Sequence, residues 1–149
     1  MAAVADADWT KARKIELLGQ MPLFSQCSKR ELGQVAALTV PAEIKNGAVL
    51  TRQGASGDLA YVIARGRAEV NRNGRTLAML GPGDVVGELS LIDGEPRSAT
   101  VRARTDLSVL EIDGRDLRRL LKRAPSVMRK LLEALSQRLR DTDAMAQPA

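Results

Sequence analysis

The sequence predicts a mainly β, α+β domain: a jelly-roll-like β-roll with two short helices before it, a one-turn helix within it and two helices after it. Three observations predict this. Between Ala42 and Ile112, short β-prone runs alternate with glycines at the close spacing of a roll or compact barrel. Helix-start signals fall outside that stretch, at Ser28-x-x-Glu31, Asp113 and Pro125. The length of 149 residues allows one hydrophobic core and not two of ordinary size.

The elements follow in chain order. Residues 1–14 read as a flexible N-terminal tail and the start of the first helix, 15–141 as the domain and 142–149 as a C-terminal tail. Ile15, Leu17, Leu18 and Met21 recur at roughly helical intervals, and the first helix ends near Gly19. Ser28 and Glu31 form a capping box ahead of Leu32, Val35 and Ala36, the apolar face of a second helix. Strands are expected at 49–51, 59–63, 68–71, 76–80, 100–103 and 107–112, with glycines supplying the turns. Asp113 caps a helix carrying Leu117, Leu120 and Leu121, and Pro125 suits the first turn of a last one. That last helix carries Met128, Leu131, Leu132, Leu135 and Leu139 on a stripe that packs on the roll or, as a homodimer, on a second copy.

Composition narrows the function. Hydrophobic residues are 44% and charged residues 28%, which favours a folded chain over disorder. No run approaches the roughly 18 apolar residues of a membrane span, and Met1 to Thr10 lacks the pattern of a signal peptide, so a cytoplasmic protein with no membrane partner is expected. There is no histidine and one cysteine, Cys27, which removes the commonest general base and any zinc set, so neither metal nor catalysis is expected. The net charge of +5 is concentrated between Arg115 and Arg140, where it reads as a solvated helical face rather than a nucleic-acid contact.

One segment breaks the β alternation: Gly81-Pro-Gly-Asp-Val-Val-Gly87-Glu88-Leu89-Ser90-Leu-Ile-Asp-Gly-Glu-Pro-Arg97-Ser98-Ala99-Thr-Val101. Gly87 opens a one-turn helix over 88–92 whose free amides favour an anion. Arg97, held by Pro96, can grip phosphate oxygens from the other side. A carboxylate such as Glu88 beside a phosphate makes sense if it accepts a hydrogen bond from a sugar hydroxyl, and Ser98 adds a hydroxyl and an amide. No Walker-type loop accompanies them, so a single phosphate charge fits better than a metal-bound triphosphate. Sugar plus one phosphate means a nucleotide.

The run GELSLIDGEPRSATV resembles the phosphate-binding cassette of the cyclic-nucleotide-binding domain family, and MPLF, VLTRQGASGDLAYVIARGRAEV and PGDVVGE are similar to the same family, covering about residues 15–140. The resemblance implies that Glu88 binds the ribose 2'-hydroxyl, that Arg97 binds the cyclic phosphate, and that Gly87 and the amides of Leu89, Ser90 and Ala99 serve the anion. It further implies a base pocket near Ala78 and Leu89 and a lid from Arg138 and Thr142. Ser98, where the family's cGMP binders often carry threonine, tilts the base preference to cAMP over cGMP. Val86 departs from the family's frequent phenylalanine, a change of packing. The implied function is a cyclic-nucleotide sensor whose ligand shifts the C-terminal helices, with no cofactor and an unidentified effector. The alternatives are a truncated catabolite-activator-type transcription regulator and an excised regulatory domain of a channel, kinase or acyltransferase.

Overall fold

The computed structural model of the chain describes residues 9–146; residues 1–8 of the expected N-terminal tail and 147–149 of the expected C-terminal tail lie outside it. Helix α1 (Lys11–Gly19) is capped by Thr10, whose side chain accepts the Arg13 amide. A 3-10 turn over Pro22–Phe24 buries Leu23 and Phe24 completely. Helix α2 (Lys29–Ala36) begins at the predicted capping box, with the Ser28 and Glu31 side chains each accepting the other's backbone amide. Burial leaves Cys27 partly enclosed and raises its thiol to about 11, so it stays protonated and inert.

Eight strands follow: β1 (Val40–Ile44), β2 (Val49–Thr51), β3 (Leu59–Arg65), β4 (Ala68–Arg72), β5 (Arg75–Leu80), β6 (Val85–Val86), β7 (Thr100–Ala103) and β8 (Leu107–Asp113). They form two antiparallel four-stranded sheets ordered β1-β8-β3-β6 and β2-β7-β4-β5. β1 and β6 were not expected from the sequence. Both are edge strands, where the proline of β1, Pro41, is tolerated because one side of the strand need not donate to the ladder. β6 has only two residues, too few to show a period.

Strands β3 and β8 read as almost continuous apolar runs because both of their faces are covered. Tyr61, Ile63, Leu107 and Val109 point into the roll, where they meet Val86, Val101 and Ala103. Ala60, Val62, Leu110 and Ile112 point the other way, into a second cluster with Trp9, Leu18, Phe24 and Val35. Each of the buried valine, leucine, isoleucine and phenylalanine side chains among them contributes on the order of 1.5–3 kcal/mol by leaving water. That outer cluster ties the helices of both chain ends to one sheet.

Between β6 and β7 in the chain comes helix α3 (Ser90–Asp93), which packs on α4 and β3 and which Gly94 terminates. Helix α4 (Gly114–Arg123) is capped by Asp113, and α5 (Pro125–Ala146) follows after Ala124. Helix α5 continues past Thr142, so the start of the expected C-terminal tail is helical. Its stripe is narrower than expected. Val127, Leu131 and Ala134 are buried and Leu135 partly so, whereas Met128, Leu132 and Leu139 are exposed. The inward face uses a β-branched and a small residue that an all-leucine reading passes over. Among the described residues no helix is long and apolar enough to cross a membrane.

Candidate functional site

The β6–α3–β7 segment borders a cavity of about 500 Å³ that opens between the two sheets. Gly87, Glu88, Leu89, Ser90, Arg97, Ser98 and Ala99 all line it, so the structure brings together the whole predicted cassette. Thr51, Val70, Leu80 and Val101 make the apolar wall, and Arg138 closes one side.

Arg97 is the centre of the arrangement. Its backbone is clamped to the β2–β3 loop, its amide donating to Ala55 O at 3.0 Å and its carbonyl accepting from Gly54 N at 2.8 Å. Its Nη2 donates to the Leu59 carbonyl. Arg97 is 8% exposed, and its Nη1 has no partner, the one such buried side-chain polar atom among the described residues. A buried, charged donor without an acceptor is costly, and an anion in the cavity removes that cost. Gly87 makes room for it: with φ of +77° it occupies a left-handed conformation, and a β-carbon there would overlap Arg97 Nη1.

Glu88 faces the same space with both oxygens engaged. Its Oε2 accepts the Leu23 amide at 2.9 Å, and its Oε1 accepts Arg138 Nη2 at 2.6 Å. Each carboxylate oxygen has a second lone pair, so a sugar hydroxyl can still donate to it. The carboxylate is held by the N-terminal 3-10 turn on one side and α5 on the other.

The other predicted residues divide. Ser98 stands at the rim, its carbonyl accepting Arg72 Nε at 2.9 Å, while Ala99 is buried and its carbonyl accepts the Thr51 hydroxyl at 3.2 Å. Helix α3 starts later than expected, at Ser90 rather than Glu88. Consequently the Ser90 amide is turned onto Gly87 O at 3.1 Å instead of toward an anion. Leu89, 55% exposed, is an apolar lip at the mouth. Ala78 is an exposed residue of β5 outside the cavity lining, and Thr142 donates its hydroxyl back to Arg138 O at 3.0 Å, one helical turn away from the cavity's own arginine.

Sequence reasoning missed the backbone partners, Leu59 O for Arg97 and Leu23 N for Glu88, because any residue supplies those groups and none signals them. Tyr61 and Glu111 are cross-strand partners on the roll's inner face, outside the cavity lining. Burial raises the Glu111 carboxyl above its ordinary range. Burial raises the Tyr61 phenol, with Glu111 adding to the rise and the charge of Arg97 opposing it. Among the described residues there is no cluster of carboxylate, thiol or imidazole groups able to hold a metal.

Comparison with known proteins agrees with this geometry. Residues 41–124 match the family described as the cyclic nucleotide-binding domain. A cyclic nucleotide-gated potassium channel of Rhizobium etli is 32% identical over 126 residues, covering 85% of this chain and 35% of the channel. A cAMP-dependent protein kinase regulatory subunit of Dictyostelium discoideum is 35% identical over 135 residues, covering 87% of this chain and 41% of the subunit. The chain thus spans well under half of either relative. The crystal structure of the N-terminal domain of a transcriptional regulator from Streptomyces coelicolor superimposes with a TM-score of 0.80 at 33% identity, covering 89% of this chain and 96% of that one.

Proposed function

The chain belongs to the cyclic-nucleotide-binding domain family, and from that premise we propose that it is a non-catalytic sensor module that takes cAMP in preference to cGMP. The observation that carries this reading is the unpartnered Nη1 of buried Arg97, whose side chain lines a cavity that also presents Glu88. The cyclic phosphate supplies the missing acceptor, in a charge-assisted contact stronger than a neutral hydrogen bond. The ribose 2'-hydroxyl donates to Glu88, and the base lies along the wall of Val70, Leu80 and Val101. Ser98 at the rim supports adenine over guanine, as the family pattern implies.

On this reading the ligand reorients Arg138 at Glu88 and so shifts α5, which carries the signal by a change of population. The exposed residues Met128, Leu132 and Leu139 support a homodimer through α5. The output belongs to whatever the module is joined to; transcription regulators, kinase regulatory subunits and channels are represented among its relatives. Calorimetric titration with cAMP and cGMP tests the site and the base preference together. Binding of neither nucleotide defeats the proposal, and tighter binding of cGMP defeats its base preference.

A further inference from the structure

We propose that Arg118, outside the cavity on α4, is a positioning residue that couples the anion cradle around Arg97 to the C-terminal helices; this rests on the cyclic-nucleotide reading of the cavity. Its guanidinium spans two segments that never touch each other through strand pairing. Nη1 donates to Leu91 O of α3 at 3.1 Å, and Nη2 donates to Asp58 Oδ1 of the β2–β3 loop at 3.1 Å. These segments are the two sides of the cradle. Residues 54–59 hold Arg97 through Gly54 N, Ala55 O and Leu59 O, and α3 follows directly on Gly87, Glu88 and Leu89.

The planar fork of an arginine fixes the relative placement of two acceptors in a way that a point charge cannot. Arg118 therefore sets the separation of the loop and α3, and any change in that separation is passed to α4. A second contact reinforces the joint: the Gly114 amide donates to Asp58 O at 2.8 Å. A β-carbon on Gly114 would lie 2.9 Å from Arg118 Nη1, 3.2 Å from Asp58 O and 3.2 Å from Leu91 Cα. The start of α4 is thus seated closely against both segments, so that a side chain at Gly114 would push on the joint. Arg115 adds a longer contact to the same carboxylate, Nε to Asp58 Oδ2 at 3.7 Å.

From α4 the chain runs through Ala124 into α5, which returns to the cavity as Arg138 on Glu88. The path is closed: Arg97, the 54–59 loop, Arg118, α4, α5, Arg138, Glu88. Arg118 is its one side chain that reads both sides of the cradle without facing the ligand.

The test pairs calorimetry with hydrogen exchange of the α4 amides, residues 114–123, with and without cAMP. In the wild-type chain cAMP is expected to bind and to change α4 exchange. Arg118→Gln is expected to bind no more than about tenfold more weakly, since the lost contacts are partly solvent-screened, and to lose the α4 response. Arg118→Lys is expected to recover affinity through Asp58 while the α4 response stays diminished, and Asp58→Asn added to Arg118→Gln is expected to cost little further, only the longer Arg115 contact being left to lose. Gly114→Ala, which wedges the joint from the α4 side, is expected to lose the response as well and serves if Arg118→Gln does not fold. A full α4 response in a folded Arg118→Gln or Gly114→Ala overturns the coupling while leaving the site reading intact. So does a wild-type chain that binds cAMP with no α4 response. A wild-type chain that binds neither cAMP nor cGMP overturns the site reading itself, and the coupling with it.

Discussion

Arg138 Nη2 of the last helix lies 2.6 Å from Glu88 Oε1, and the opposite oxygen of the same carboxylate takes the Leu23 amide at 2.9 Å. Glu88 is the point where the cavity, the N-terminal turn and α5 meet. Arg138 also offsets a negative charge that would otherwise repel an incoming phosphate. Arg138→Ala is therefore expected to weaken cAMP binding by about 1 kcal/mol, discounted for the partial exposure of the arginine, and to make the affinity fall less steeply as salt is added, because one attractive charge has gone. Calorimetry at two ionic strengths checks it; an unchanged affinity would show that the pair does not bear on the ligand.

Arg97→Ala removes the counter-charge from the buried side of the cavity. The expected loss is roughly 2 to 5 kcal/mol of binding free energy, as for one partner of a desolvated charge pair. Arg97→Lys should recover little of it, because one ammonium cannot serve both Leu59 O and the phosphate in the fork geometry. The checking measurement is the cAMP-induced rise in melting temperature, which should be large in the wild type and absent in both variants.

Gly87→Ala combines two effects at one position. A left-handed φ costs a non-glycine residue roughly 1–2 kcal/mol, and the new methyl group meets Arg97 Nη1. The variant should melt lower and also bind cAMP more weakly, since the guanidinium must leave its place. Retained affinity with a lowered melting temperature would separate backbone strain from the cradle.

Acid and base affect stability with opposite signs at two carboxyls. The Ser28 amide, chiefly, holds Glu31 below its ordinary value of 4.5, so its stabilisation is present above that value and is lost as pH falls through the lowered one. Burial holds Glu111 above 4.5, so its favourable contribution exists below that value and disappears as pH rises through the raised one. Glu111→Gln, which cannot ionise, should match the wild type in acid and melt higher at neutral pH. Thermal melts across the acid-to-neutral range check the crossover, and a constant difference would exclude the linkage.

What was legible in the sequence was what a contiguous run can carry. Gly87, Glu88, Arg97 and Ser98 fall within twelve residues, and their chemistry alone points to a sugar and one phosphate. Capping at Ser28 and Asp113 was readable because it is local. The partners of Glu88 lie 65 and 50 residues away, one of them a bare backbone amide, and nothing in the chain marks them as a set. The strand at Val40–Ile44 was hidden by Pro41, which argues against a strand everywhere except at an edge. Helix α5 was readable as a helix, but which stripe faces inward depends on the sheet beneath it, and there Val127 and Ala134 replaced two of the expected leucines and methionine.

The residues displaced from that inward face carry the last prediction. Met128, Leu132 and Leu139 are 38%, 59% and 66% exposed, and with half-buried Leu135 between them they step along α5 by four, three and four residues. That alternation is the seam spacing of a two-stranded coiled coil. Three large apolar side chains left in water on one helix face are better covered by the same face of a second copy, because a two-fold axis along α5 pairs the stripe with itself. Leu132→Glu with Leu139→Glu places like charges across such an axis and leaves the buried Val127, Leu131 and Ala134 in place, so each chain should still fold. The wild-type chain is expected to sediment as a dimer and the double variant as a folded monomer; a wild-type monomer at micromolar concentration would show that α5 closes on its own roll instead.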